Sequence, residues 1–299
     1  MKTMLETRHL IYFRAVAEHL NFTRAAESLN MSQPPLSYQI KQLEDYLGVD
    51  LFHRTKRTVK LTEAGEYFYE VTVRTLNNFN NHIETVRKIG QGEIGNLRTG
   101  FGGSIVYDIL PKIIQHIHSQ YPKLKLTVQQ LTTSQQINAL KNGDIDIGIL
   151  VPPIYDQSIN VLPIRKEEFI VCLHKDHPLA QYPAPLNIDL FRDENIIMTP
   201  YEAGAGYYES IMRLCQLGGF SPNITQTAQE QHTIVSLVAS GIGIAFVPSS
   251  SSRINQENVV YRKLTEKVYK ETAVAWNVGD NTPSVKLFLS VIEENILKR

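Results

Sequence analysis

The sequence predicts an α+β multidomain protein, in which a small helical domain with a basic hairpin leads into one long linker helix and then a two-lobed α/β domain. Three observations carry this prediction. Residues 22–47 hold two apolar stripes of helical period. The 28 residues from Thr62 to Ile89 contain no proline and keep a single apolar stripe. From residue 97 to the C terminus, strand and helix patterns alternate.

In the first segment, Leu10, Phe13, Val16, Ala17 and Leu20 supply a helix that closes a small core. Phe22, Ala25, Ala26 and Leu29 recur at helical intervals, and the two alanines let another helix come close. Asn30 and Met31 break the pattern, and Ser32 is placed to cap the next helix. Pro34 and Pro35 fall in its first turn, where a missing N–H costs little. Leu36, Ile40, Leu43 and Leu47 form the buried stripe of that helix, which leaves Gln33, Ser37, Tyr38, Lys41 and Gln42 outward. Glutamine and serine can read base edges, and lysine can meet phosphate. From Leu51 to Thr62 the chain carries Arg54, Lys56, Arg57 and Lys60 with no acid, while Thr58, Val59 and Leu61 favour a strand. A basic hairpin after such a helix is a wing that tracks the phosphate backbone. Residues 1–61 therefore read as a winged helix-turn-helix DNA-binding domain, against the plainer alternative of a helical hairpin with a solvated charged face.

Thr62 caps the next helix and Glu63 suits its first turn. Ala64, Phe68, Val71, Leu76, Phe79, Ile83 and Val86 line one face of a rod of roughly 42 Å. A long helix with an uncovered apolar stripe pairs with a copy of itself, or else packs on its own domain. Self-pairing would set two recognition helices about one DNA turn, or a multiple, apart. Gly90, Gly92 and Gly95 then mark a hinge, so residues 62–90 are assigned as the linker.

Residues 91–299 begin with strand 97–101, helix 104–119, strand 124–130, helix 133–142 and strand 144–150, an open parallel arrangement. A second set follows: strands at 169–173, 196–198, 224–227 and 242–247, with helices at 207–217 and 233–240. A strand at 273–276 and a helix at 285–297 close the chain. Two α/β subdomains joined by crossovers resemble the periplasmic-binding-protein architecture, with lobe I at about 91–163 and 268–299 and lobe II at about 164–267.

Composition narrows the function classes. The chain carries 30 basic and 30 acidic residues, which argues against a generally basic nucleic-acid coat. The charge is uneven: residues 1–61 hold nine basic and six acidic groups, a local excess of three. No charged head precedes an apolar run at the N terminus, and no stretch approaches the roughly 18 apolar residues of a membrane span, so a cytoplasmic protein without membrane partner is expected. Cys172 and Cys215 read as buried reduced thiols, with a redox pair as the other possibility. No P-loop, nucleophile elbow or dinucleotide motif follows a strand, and the nine histidines lack metal-ligand spacing. His174 and His177 fall in a turn and are expected to be solvated. No catalytic residue, cofactor or metal is assigned, and the chain is not read as an enzyme.

The run Arg8-His9-Leu10, Phe13, Ala17-Glu18, Phe22-Thr23, Ala25-Ala26, Leu29, Ser32 to Ser37, Gln39-Ile40, Leu43-Glu44, Leu47-Gly48, Leu51-Phe52, Arg54, Leu61-Thr62 and Ala64-Gly65 resembles the N-terminal domain of LysR-type transcriptional regulators. The match covers about the first 65 residues, and the rest fits the family's layout, most like the branch that controls aromatic-acid catabolism or acetoin synthesis. The resemblance implies DNA contacts at Gln33, Pro34, Pro35, Ser37 and Tyr38, with Arg54 and Arg57 in the wing. Position 38 is often Arg, Asn or Gln in that family, and Tyr38 departs from this. It further implies promoter DNA, RNA polymerase and a small-molecule effector as partners, an antiparallel linker pairing, and a homodimer or homotetramer.

Ligands of open α/β sheets bind beyond the carboxyl ends of strands. Two such ends run into hydroxyl-bearing helix starts, Phe101-Gly102-Gly103-Ser104 and Leu131-Thr132-Thr133-Ser134. Free N–H groups and the helix dipole favour an anion there. Opposite them, Thr199-Pro200-Tyr201 follows one strand and Phe246-Val247-Pro248 ends another. The candidate effector residues are Gly103, Ser104, Thr133, Pro200, Tyr201 and Phe246, with helix capping alone as the alternative for Ser104 and Thr133. No basic residue lies within these two turns, which favours a monoanionic carboxylate or a neutral metabolite over a phosphate. Leu150-Val151 stand where some relatives carry an arginine for a second aromatic ligand. A solute-binding or α/β enzyme module with a helical appendage remains the other reading.

Overall fold

The computed structural model describes residues 5–55, 58–90, 95–183 and 185–297. It divides into two compact units, residues 1–86 and 87–299. No described helix is long and apolar enough to cross a membrane.

The first unit packs three helices, α1 (Thr7–His19), α2 (Phe22–Ser28) and α3 (Gln33–Leu47), around Phe13, Val16, Ala25, Ala26, Leu36, Ile40 and Leu43. Asn21 caps α2, its Oδ1 accepting from the amides of Thr23 and Arg24 at 2.9 and 3.1 Å. Ser32 occupies the cap position of α3 without a side-chain cap bond. Gly48, at φ 73°, ends α3 in the left-handed conformation that glycine adopts without strain. The wing is an antiparallel hairpin of β1 (Phe52–Arg54) and β2 (Val59–Leu61), in register Phe52 to Leu61. Helix α4 (Glu63–Gly90) follows, its first turn capped by Thr62 Oγ1, which accepts from the Gly65 amide at 2.9 Å. Phe68 meets the Phe13 ring edge-on at 4.9 Å and ties α4 to the core. Further along, Phe79 and Val86 stand exposed within this unit.

The second unit is built on β3 (Gly95–Phe101), β4 (Leu124–Gln130), β5 (Ile147–Leu150), β6 (Ile159–His174), β7 (Asn195–Met198), β8 (Asn223–Thr227), β9 (Ala245–Pro248), β10 (Val259–Lys263) and β11 (Tyr269–Asn277). Its helices are α5 (Ile109–Gln120), α6 (Thr133–Asn142), α7 (Ala205–Leu217), α8 (Gln231–Ala239) and α9 (Pro283–Ile292). The main sheet runs β10-β6-β11-β5-β3-β4, with β9 also on β6. Strand β3 is parallel to β4 and β5, whereas β11 is antiparallel to β5 and β6. Two strands cross between two cores. On one side, Leu97, Ile113, Ile147, Val274 and Phe288 pack together. On the other, Phe169, Phe191, Ile196, Ile211 and Phe246 do so. β6 and β11 stay paired from Glu168–Tyr269 to Ile159–Asn277, with an irregularity between Thr272 and Ala273.

Several elements differ from the sequence reading. The helix expected from residue 104 is a 3-10 turn (Gly103–Tyr107) followed by α5, because Asp108 breaks the helix at φ −154° and its Oδ1 caps Ile109 at 2.7 Å. The strand expected at 169–173 begins ten residues earlier, and its added residues carry ion pairs: Arg165 with Asp108 and Glu167, and the exposed Lys166 with Glu271. Edge strand β10 was not expected, and the last helix gives way to a π turn (Glu293–Leu297) after Ile292. His177 is not solvated: its Nε2 lies 3.1 Å from Glu194 Oε1, and its Nδ1 accepts from the Leu179 amide. Cys172 and Cys215 are free and buried in separate cores, where burial pushes both thiols up to about 12. Among the described residues, no cluster of three or more metal-ligating groups occurs.

Candidate functional site

The outer face of α3 carries the residues expected to meet DNA. Gln33, Pro34, Pro35, Tyr38 and Lys41 are exposed, while Leu36, Ile40 and Leu43 are buried on the opposite side. Gln33 Nε2 donates to Ser37 Oγ at 2.7 Å, and Gln42 Nε2 donates to the Tyr38 hydroxyl at 3.2 Å. These i, i+4 bonds hold the polar side chains in one row without burying them.

Arg54 lies in wing strand β1, as expected, and is exposed, but it also has a partner within the domain. Its guanidinium donates to the Glu44 carboxylate and lies 4.9 Å from the centre of the Phe22 ring. Glu44 is itself buried, and its Oε1 also accepts from the amides of Leu51 and Phe52 at 2.9 and 3.2 Å. Arg54 thus clamps the root of the wing to α3 through a charge-assisted bond. Sequence reasoning passed over Glu44 because an acid inside a helix looks solvated until its partners are placed. Arg57 and Lys56 lie outside the described residues.

The second unit contains a cavity of about 50 Å³ between its two cores, lined by Gly103, Ser104, Thr133, Thr199, Gly204, Tyr207, Glu230, Gln231 and Lys270 among others. Since a water needs roughly 10–15 Å³ on such a measure, this is room for about three to five waters. The starts of α6 and α7 meet here: a Cβ on Gly204 would lie 3.1 Å from Thr133 Cβ. Thr132 and Gln135 cap α6 reciprocally, and Thr133 Oγ1 accepts from the Val151 amide at 3.4 Å. The remaining amides at two helix starts give the cavity a positive partial charge.

Ser104 does not open a helix onto the cavity with a free hydroxyl. Its Oγ, fully buried, donates to Glu167 Oε1 at 2.9 Å and accepts from Lys270 Nζ at 2.8 Å. Lys270 also donates to Glu167 Oε1 at 3.1 Å. Burial pushes the Glu167 carboxyl up, but the Lys270 ammonium, the Ser250 amide and the Arg165 guanidinium together hold it down at about 2. Burial draws the Lys270 ammonium down, and the Glu167 carboxylate opposes this. These bonds use two of the three ammonium N–H groups, and Lys270 is one of the residues that line the cavity. The two turns themselves carry no basic residue, but Lys270 reaches the site from a strand 166 residues away from Ser104.

Pro200, Tyr201 and Phe246 are not brought to the cavity wall. Phe246 is in the core, edge-on to Phe191 at 5.7 Å, because β9 turns that side chain inward. Tyr201 is exposed and packs on the Tyr208 ring, and Pro200 precedes a short turn that presents Ala203 and Gly204 instead. Thr199, Tyr207 and Gln231 line the wall in their place.

A basic-winged helix-turn-helix joined to a two-core domain with a small cavity between its cores defines a class of protein, the DNA-binding transcriptional regulator with an effector domain. The comparisons with known families make this specific. Residues 7–66 match the bacterial regulatory helix-turn-helix protein, lysR family, and residues 90–296 match the LysR substrate binding domain. The chain belongs to the LysR family of transcriptional regulators. It is 39% identical over 288 residues to the transcriptional regulator AlsR of Bacillus subtilis, covering 96% of this chain and 95% of that one. It is 38% identical to CatR of Pseudomonas putida over 97% of this chain and 99% of that one. Among solved structures, full-length BenM is 31% identical with a TM-score of 0.60, covering 97% of this chain and 96% of that chain. Full-length CbnR in complex with its target DNA shares the fold at 23% identity and a TM-score of 0.73, over 97% and 99% of the two chains. The relatives are regulators rather than enzymes, and the solute-binding or enzymatic alternative is not favoured.

Proposed function

We propose that this regulator responds to a short carboxylate held in the cavity of its second unit. The observation that carries the reading is the buried Lys270 side chain, which lines one small cavity together with two helix starts. Thr133 sits at one helix start, and Gly103 and Ser104 complete the floor. Ser104 acts through Lys270 and Glu167 rather than as a free anion ligand. A monoanion suits the site better than a phosphate, because Glu167 already neutralises much of the lysine and Glu230 stands at the wall. The volume suits two or three carbons beside the carboxylate, and an aromatic acid requires a wider opening of the lobes. The ligand shifts the lobes toward closure by no more than its differential affinity for the two states.

On DNA, Gln33, Pro34, Pro35, Ser37 and Tyr38 face base edges, Lys41 and Arg57 meet phosphate, and Arg54 acts by holding the wing. Promoter DNA read in this way recruits or excludes RNA polymerase in the cytoplasm. Replacing Lys41 with Ala lowers affinity for promoter and scrambled fragments alike and reduces the salt slope by about 0.9. Fluorescence anisotropy across a salt series measures this, and an unchanged slope excludes Lys41 from the phosphate contacts.

The exposed Phe79 and Val86 on α4 fit pairing with a second copy, the first step toward a homodimer or homotetramer. Phe79→Glu then shifts the sedimentation coefficient toward that of a monomer at micromolar concentration. A variant that sediments as wild type removes α4 from the pairing surface.

A further inference from the structure

Gln231, the first residue of α8, is 3% exposed and lines the cavity. Its Nε2 donates to the Tyr207 hydroxyl at 3.0 Å, and that hydroxyl donates to the Phe246 carbonyl at 3.4 Å. The direction of this relay is set by chemistry. A carbonyl can only accept, so Tyr207 gives its proton to Phe246 and must receive from the amide nitrogen of Gln231. Gln231 Oε1 is then turned away from Tyr207, and it is a buried acceptor with no protein donor. Thr199 Oγ1, also buried and on the cavity wall, has no partner either.

A simple carboxylate satisfies Lys270 and the helix starts but brings only acceptors, so it leaves Gln231 Oε1 unpaired. A ligand that also carries an O–H or N–H removes that deficit. An amine would place a second cation beside Lys270 and Arg165, whereas a hydroxyl adds no charge and lets Thr199 donate to its oxygen. Resting on the carboxylate reading above, we infer that the cavity selects a short hydroxycarboxylate over the same acid without its hydroxyl. Gln231 Oε1 is the specificity-determining acceptor.

Calorimetric titration of the full-length protein with matched pairs, acetate against glycolate and propionate against lactate, tests this. The hydroxy acid of each pair is expected to bind roughly tenfold tighter or more. In Gln231→Leu, which loses the acceptor, the ratio of the two affinities within each pair falls to about one. Thr199→Val reduces it about threefold and serves if Gln231→Leu does not fold. Equal affinities within each pair for the wild type overturn the hydroxyl selectivity and leave the carboxylate site standing. Binding of none of the four acids removes the carboxylate site and the selectivity together.

Discussion

Lys270→Met abolishes carboxylate binding and lowers the unfolding free energy of the effector domain by about 3–5 kcal/mol. Binding is lost because the cavity's basic side chain goes and Glu167, behind Ser104, is left without the lysine's compensating charge. Stability is lost because Glu167 stays buried with one cation fewer. The Arg165 contact at 3.0 Å and the Ser250 amide at 3.1 Å keep the loss near the lower end of that range. The double variant Lys270→Met/Glu167→Gln separates the two effects, since removing both charges restores most of the stability and none of the binding. Denaturant unfolding and calorimetry measure the two quantities, and carboxylate affinity unchanged in Lys270→Met would refute the assignment of this lysine.

Glu44→Ala loosens the wing and lowers both the stability of the first unit and its affinity for DNA. The carboxylate accepts from two backbone amides and from Arg54, so its removal orphans the Leu51 and Phe52 N–H groups in a buried setting. At roughly 1–3 kcal/mol for each unsatisfied group, with some relief from water at the new gap, a loss of about 2–4 kcal/mol is expected. Gln at this position keeps the shape and one acceptor, and loses less. Affinity falls because Arg54 no longer holds the hairpin against α3, although no base-reading residue has changed. Thermal melts and gel shifts decide the matter: a Glu44→Ala protein that melts and binds as wild type shows the wing to be held elsewhere.

These two residues also mark the limit of what can be read along a chain. Leu36, Ile40 and Leu43 place themselves by their spacing, so the recognition helix and its outward row needed no coordinates. Strand β4 and helix α6 were equally legible, since each carries its own period or cap. Glu44, Glu167 and Lys270 carry no such signal. An isolated charge in a sequence reads as solvated, and only long-range pairing makes it a buried one. Pro200, Tyr201 and Phe246 were chosen by nearness to a strand end, but which side of a strand end faces a cleft depends on how the next element turns away.

By itself, then, the sequence determined the local and periodic features: a helix-turn-helix with a basic hairpin, a long helix, an alternating α/β domain, and a family whose motifs lie within one continuous stretch. Tertiary structure alone decided where the buried charges meet. The Ser104–Glu167–Lys270 cluster joins residues 63 and 103 positions apart, and the pairing exists only because β6 and β11 cross side by side between the two cores. Periodicity is a property of neighbours in the chain, whereas the electrostatics of a buried site belongs to neighbours in space.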